Sequence, residues 1–80
     1  MKYTLETKFD IGDTVYIADH YYDYYASHTP YVVTGITVKI NHNGTYIAYY
    51  VEHGENTDYL PETFIFSTYD ECVKWCDEHN

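Results

Sequence analysis

Cys72, Cys76 and His79 are spaced i, i+4 and i+7, so a helix would set two thiols and an imidazole on one stripe. Both groups are good zinc ligands, and His20, His28 or an acidic side chain could supply a fourth. The same stripe carries Val73 and Trp75, however, and free cysteine packs as a small buried hydrophobe. Structural zinc sites also tend to draw a ligand pair from a turn, not three ligands from one helix. The stripe is therefore expected to be a packed helix face, and no cofactor is expected.

Other catalytic groups are sparse. The two serines, Ser27 and Ser67, lie on no nucleophile elbow, and the four glycines are isolated, so no phosphate-cradling loop is present. A Cys–His pair needs an exposed thiol of low pKa, whereas burial and acidic surroundings raise it. Glu52-His53 and Asp19-His20 are sequence neighbours, which a strand turns to opposite faces. The chain reads as a non-enzyme.

Charge is the stronger signal. Thirteen Asp and Glu stand against four Lys and no Arg, a formal net charge of -9 over 80 residues. Without Arg the chain lacks the side chain best suited to gripping phosphates and reading guanine edges, so direct nucleic-acid binding is not expected. Twelve of the acids form three groups, the first two with no Lys among them: Asp10, Asp13, Asp19 and Asp23; Glu52, Glu55, Asp58 and Glu62; and, on the helix's outer face, Asp70, Glu71, Asp77 and Glu78. Such charge keeps a small protein soluble, but its self-repulsion also destabilises the fold. A compensating role is a field that steers the domain to a basic surface, and basic surfaces belong largely to nucleic-acid-binding proteins.

Tyrosine usage points to an interface as well. Ile, Val, Leu and Phe make up only 17 residues, and twelve Tyr help lift the apolar share to 45%. Twelve Tyr cannot all fit inside so small a core, and Tyr brings large contact area at low entropy cost. Tyr21, Tyr22, Tyr24 and Tyr25 crowd the segment Asp19–Pro30, which has no clean period and reads as a long loop or loose hairpin. The expected protein-binding residues are Asp19, Tyr21, Tyr22, Asp23, Tyr24, Tyr25, Tyr46, Tyr50, Glu52, Glu55 and Asp58.

The elements that would carry these residues are mainly strands. Asp10 and Gly12-Asp13 supply turn chemistry ahead of Thr14–Ile17, where Val15 and Ile17 alternate with Thr14 and Tyr16. Asn43-Gly44 is the preferred pair for a two-residue type I′ turn. With those two in the turn, Ile40 pairs with Ile47, Val38 with Tyr49 and Ile36 with Val51 on one apolar face. The opposite face then carries Asn41 with Tyr46, Lys39 with Ala48 and Thr37 with Tyr50. Gly54–Asp58 reads as a polar connection, and Tyr59-Leu60 and Phe64–Phe66, split by Pro61, as short edge strands. Thr68 and Glu71 have capping-box spacing, which predicts a helix over about 69–79 with Tyr69, Cys72, Val73, Trp75, Cys76 and His79 on its buried side.

The expectation is one domain over 1–80, mainly β with one amphipathic C-terminal helix: a strongly bent antiparallel sheet or barrel of about five strands over 8–66, then the helix. The N-terminal Met1–Glu6 has no apolar signal-peptide core, and no segment is long and apolar enough to span a membrane. A cytoplasmic location with reduced cysteines follows, in the host cell if the chain is phage-encoded.

The run Phe9-Asp10-Ile11-Gly12-Asp13-Thr14-Val15-Tyr16-Ile17 resembles the first strand of SH3-like barrels, with an aromatic, a Gly-Asp turn and a Val-x-Ile strand. The resemblance extends over about the first 53 residues and implies a long loop followed by meandering antiparallel strands. In composition and size the chain also resembles the acidic DNA-mimic inhibitors of phages and mobile elements, including anti-CRISPR proteins. That likeness implies carboxylates standing in for phosphates against a basic, nucleic-acid-binding partner such as a CRISPR effector. The alternatives are a small accessory protein that uses the Tyr loop or a strand edge to form a homo-oligomer, such as a homodimer, or to bind a neutral partner, and a zinc module built on Cys72, Cys76 and His79.

Overall fold

Alternating side chains and turn residues divide most of the chain into short strands. A computed structural model describes residues 6–80, so most of the Met1–Glu6 reading lies outside the described residues. The strands are β1 (Thr14–Tyr21), β2 (Asp23–Ala26), β3 (Tyr31–Asn41), β4 (Gly44–His53), β5 (Asn56–Pro61) and β6 (Ile65–Phe66). A 3-10 turn at Glu62–Phe64 links β5 to β6, and α1 (Tyr69–His79) follows. All pairings are antiparallel.

β1 is the hub. It pairs with β2 through Ala18–Tyr21, with β3 through Thr14 and Val15, and with β6 through Tyr16 and Ile17. Between β2 and β3 the chain bows away at Ser27–Pro30, where Pro30 has no N–H to offer a ladder. Ser27 fills the gap: its N–H donates to the Ile17 carbonyl at 2.9 Å, and its hydroxyl accepts from the Ile17 N–H at 3.1 Å.

β1 also separates two cores, because its alternating side chains face opposite ways. Val15 and Ile17 join Phe9, Val33, Tyr49, Val51 and Ile65 on the inner face. Tyr16 and Ala18 join Ala26, Phe66, Cys72 and Cys76 on the outer face, beneath α1. The helix spans the residues expected for it, and Thr68 Oγ1 accepts from the Glu71 N–H at 3.2 Å. Trp75 wedges between Tyr24 and Phe64, with ring centroids 5.0 and 5.4 Å away.

The sheet is open. β5 pairs with β4 as far as Pro61, and the next pairing, β6 with β1, begins at Ile65. The three residues between them cross the gap without a ladder, so of the bent sheet or barrel expected from the sequence it is an open antiparallel sheet that forms.

The β3–β4 hairpin departs from expectation in register while keeping its faces. Asn41 pairs with Gly44, placing His42-Asn43 in the turn, and Ile40, Val38 and Ile36 face Thr45, Ile47 and Tyr49. Each partner is two residues from the expected one, and a slip of two leaves every side chain on its face. The reason is backbone geometry. A type I′ turn needs positive φ at both central residues. Here neither His42 nor Asn43 has it, and Gly44 takes φ 128 instead. The Asn41 side chain secures the turn by accepting from the Asn43 N–H at 2.8 Å. Farther down, a bulge between Val33 and Gly35 makes Thr34 an extra residue, whose hydroxyl donates to the Tyr50 carbonyl at 3.3 Å.

Two other segments are more regular than expected. Asp19–Pro30 is a hairpin arm plus a short bow, with β1 and β2 paired from Ala18↔Ala26 to Tyr21↔Asp23. The polar connection shrinks to Gly54-Glu55, and β5 begins at Asn56.

The inner core has a polar centre. Tyr49 is fully buried, and its hydroxyl donates to Glu62 Oε2 while accepting from the Phe9 N–H at 3.3 Å. Glu62 Oε2 also accepts from the Lys8 N–H at 3.2 Å. Burial, with the Glu62 carboxylate beside it, pushes the Tyr49 phenol up to about 12.

Tyr49→Phe should cost about 1–3 kcal/mol in urea unfolding, because it strips partners from a carboxylate and a buried N–H. The ordinary phenol value is 10.0, so this group's stabilisation is intact below pH 10 and lost as pH rises through about 12. The Phe variant should show a smaller stability loss across that alkaline window.

Candidate functional site

The inner face of the sheet changes character along β1. After Val15 and Ile17, its next inward residues are Asp19 and Tyr21, by the two-residue period. Cross-strand pairing sets Tyr25 opposite Asp19 and Asp23 opposite Tyr21. Tyr31, opposite Val15, lies on the same face, and the β4–β5 register brings Asp58 there opposite Val51. One end of the inner core thus opens into a rim of carboxylates and phenols.

The electrostatics bind this rim together. The Asp19 carboxylate beside Tyr25 raises that phenol above its ordinary value, with desolvation adding to the effect. Burial raises the Tyr31 phenol, and Asp58 and Asp19 push it further the same way. Tyr31 therefore feels two acids that are 39 positions apart in sequence. His53 leans on Tyr31, with ring centroids 5.7 Å apart, and its Nδ1 lies 3.0 Å from the Pro30 carbonyl. Next to Asp19, where the sheet fails to close, Leu60, Phe64, Tyr24 and His20 line a groove of about 240 Å³.

The β1–β2 hairpin runs on from Asp19 and Tyr25 to its tip at Tyr22. Tyr22 sits at φ 64, is 85% exposed and stacks edge-on against Tyr21 at 4.6 Å. A left-handed backbone is unfavourable for a bulky L-residue and is usually left to Gly or Asn. Residues held this way cluster at binding and switch sites.

The expected binding residues do not form one surface. Asp19, Tyr21, Asp23, Tyr25 and Asp58 share the inner rim, with Tyr22 at its tip. Tyr24 points to the helix side, packed between His20, Phe64 and Trp75. Tyr46 and Tyr50 lie on the outer face, where Tyr50 meets Tyr59 at 4.5 Å and all three stay exposed. Glu52 is on that outer face too, accepting from the Thr57 hydroxyl at 3.4 Å, and Glu55 occupies the turn before β5. The third acidic group decorates α1, which covers the outer side of β1 and β2. Asp13 serves its own turn, accepting from the Asp10 N–H at 2.9 Å. Tyr31 and His53 join the rim without having been expected there. Their only sequence signal is an inward register position, which becomes readable once β1 and β3 are aligned.

The candidate metal ligands also part company. Cys72 and Cys76 are buried, while His79 stays outside, stacked on Trp75 at 4.0 Å with its Nδ1 2.7 Å from the Trp75 carbonyl. Among the described residues, no three His, Cys, Asp or Glu side chains are grouped to hold a metal ion. Burial pushes the Cys72 thiol up to about 12, and it raises Cys76 as well.

Comparison of the chain with protein-family models, curated proteins and solved structures finds no match.

Both thiols should resist an aromatic disulfide reagent in the native protein at mildly alkaline pH and react on unfolding, which a colorimetric thiol count with and without denaturant checks. At the hairpin tip, Tyr22→Gly should be more stable than Tyr22→Ala by about 1 kcal/mol, the reverse of the usual order, because only Gly takes positive φ without steric cost. Paired thermal melts measure that difference.

Proposed function

We propose that this chain is a non-enzymatic, acidic protein-binding module that occupies the nucleic-acid site of a basic partner, in the manner of DNA-mimic and anti-CRISPR inhibitors. The observation that carries the reading is the strand register that sets Asp19, Tyr25, Tyr31 and Asp58 on the inner face at its open end, where both acids raise the Tyr31 phenol. Carboxylates there stand in for phosphates, and the Tyr rings beside them supply apolar contact area for the stems of Lys and Arg. The exposed Tyr21-Tyr22 tip, next along the same hairpin, extends that surface. The acids on α1 lie on the other side of the sheet and act at long range, by steering the encounter.

In this reading the scaffold is a relative of SH3-like barrels whose last closure is missing, and the protein works in the cytoplasm. Among the described residues no helix is long and apolar enough to cross a membrane. A second reading, a small accessory protein with a neutral partner, draws on the exposed Tyr46, Tyr50 and Tyr59 of the outer face.

A pull-down from bacterial lysate, run at low and then high salt, tests the mimic. Capture of a nucleic-acid-binding protein should weaken steeply as salt rises, because carboxylate contacts are screened. Asp19→Asn with Asp58→Asn should weaken it at least about tenfold at low salt, while Tyr50→Ala leaves it unchanged. Salt-independent capture that depends on Tyr50 would reject the mimic in favour of the second reading.

A further inference from the structure

All thirteen acids lie outside the stretch Tyr24–Val51, whose only Asp, Glu, Lys or Arg is Lys39. The larger part of that stretch is the β3–β4 hairpin, and its outer half forms an arm. On one side, β5 accompanies β4 only as far as Ala48, opposite Pro61. On the other, β1 accompanies β3 only to Val33, through Asp13 O and the Gly12 N–H. From Thr34 to Asn41, β3 has no strand along that side among the described residues.

The direction of the backbone groups follows from the ladder. Val33 turns its N–H and C=O toward β1. The extra residue at Thr34 resets the alternation, so Ile36, Val38 and Ile40 turn theirs the same way, onto the open side. The same three side chains share the inner, apolar face, where Ile40 is 38% exposed.

Other edges are guarded. The Asn80 side chain caps β2 like one more rung, accepting from the Tyr24 N–H at 2.7 Å and donating to the Tyr24 carbonyl at 2.8 Å. β5 contains Asp58 and ends in Pro61, and charge and proline discourage strand addition. The β3 edge has Lys39 alone.

We infer that the open edge of β3 is a self-association site, at which a second copy of this chain pairs antiparallel with Val38 opposite the second copy's Val38. This register sets Ile36 against Ile40 and Thr37 against Lys39, so the two Lys39 side chains do not oppose each other. Six backbone hydrogen bonds form, from the inward-facing residues of both copies, and six aliphatic side chains become one continuous face. Charge selects the occupant. The edge segment Thr34–Asn41 has no acid of its own, so two copies at -9 can meet there without setting carboxylate against carboxylate. A basic partner is drawn to the acids instead. The dimer leaves the Asp19–Asp58 rim free, so it stands independently of the mimic reading.

The test is the mass in solution of the full chain at about 0.2 mM, by light scattering across a salt series. Twice the chain mass is expected, with dimerisation strengthening as salt screens the repulsion, the opposite salt dependence to the proposed mimic binding. Val38→Pro removes an outward N–H without breaking the β3–β4 ladder and should weaken the dimer at least about tenfold. Val38→Cys should cross-link under oxidised glutathione, since Cα atoms in such a pair lie about 5.5 Å apart, within disulfide reach. His42→Cys, at the arm's tip, should not. A monomer at every salt concentration would overturn the inference, as would a dimer that survives Val38→Pro and fails to cross-link through Cys at 38.

Discussion

A phenol sealed inside a small sheet has to keep its hydroxyl satisfied, and that demand organises one end of this molecule. Tyr49 sits in the middle of β4 with no exposed surface, so its hydroxyl cannot turn to water. Glu62 and the Phe9 N–H meet it from two segments outside the main ladder. Satisfying the hydroxyl draws the 3-10 turn and the chain before β1 across the inner face, which brings Phe9 against the Tyr49 ring at 5.5 Å. The inner core is plugged there, and its polar rim lies farther along the face, among Asp19, Tyr31 and Asp58. Glu62, a member of the second acidic group by sequence, is half-buried and spends one carboxylate oxygen on this plug.

Two cores on opposite sides of one strand explain how so few aliphatic residues hold the fold. β1 buries Val15 and Ile17 on one face and Ala18 on the other, so one strand serves both packing problems. The helix side is built from rings and thiols, with Trp75 touching Tyr24, Phe64, Phe66 and His79. Tyrosine thereby divides into structural and exposed populations. Tyr16, Tyr24, Tyr49 and Tyr69 pack, while Tyr21, Tyr22 and Tyr50 stay open to solvent.

How much of this was legible in the sequence depends on the range of the interaction. The helix and its Thr68 cap were readable because capping and a 3.6-residue period are local. The two faces of the β3–β4 hairpin were readable from alternation, but its pairing was not. Asn43-Gly44 fits more than one turn, and the choice between them rests on φ at His42 and Asn43. The β1–β2 hairpin was one of two readings of its segment, but its turn at Tyr22 was not marked, because no Gly or Asn stands at the left-handed residue. Tyr31 and His53 escaped notice as rim residues, since neighbours of that kind are set by strand alignment across more than twenty positions. Asp19, Tyr25 and Asp58 were found through charge and aromatic density, which also swept in Tyr24 and Tyr46. Composition marks what is surplus to a core without telling which side of a sheet it will reach.

The bulge at Thr34 separates two kinds of information. Val33 faces Val51, Gly35 faces Tyr50 and Ile36 faces Tyr49, so removing Thr34 would leave an unbroken ladder with each side chain on its present side. What the extra residue alters is the bend and twist of the strand at the place where the anchored half of β3 ends and the arm begins. Thr34 is thus a bearing set into the chain: partner choice is written in the strands on either side, and the angle at which the arm leaves the body is written in one residue between them.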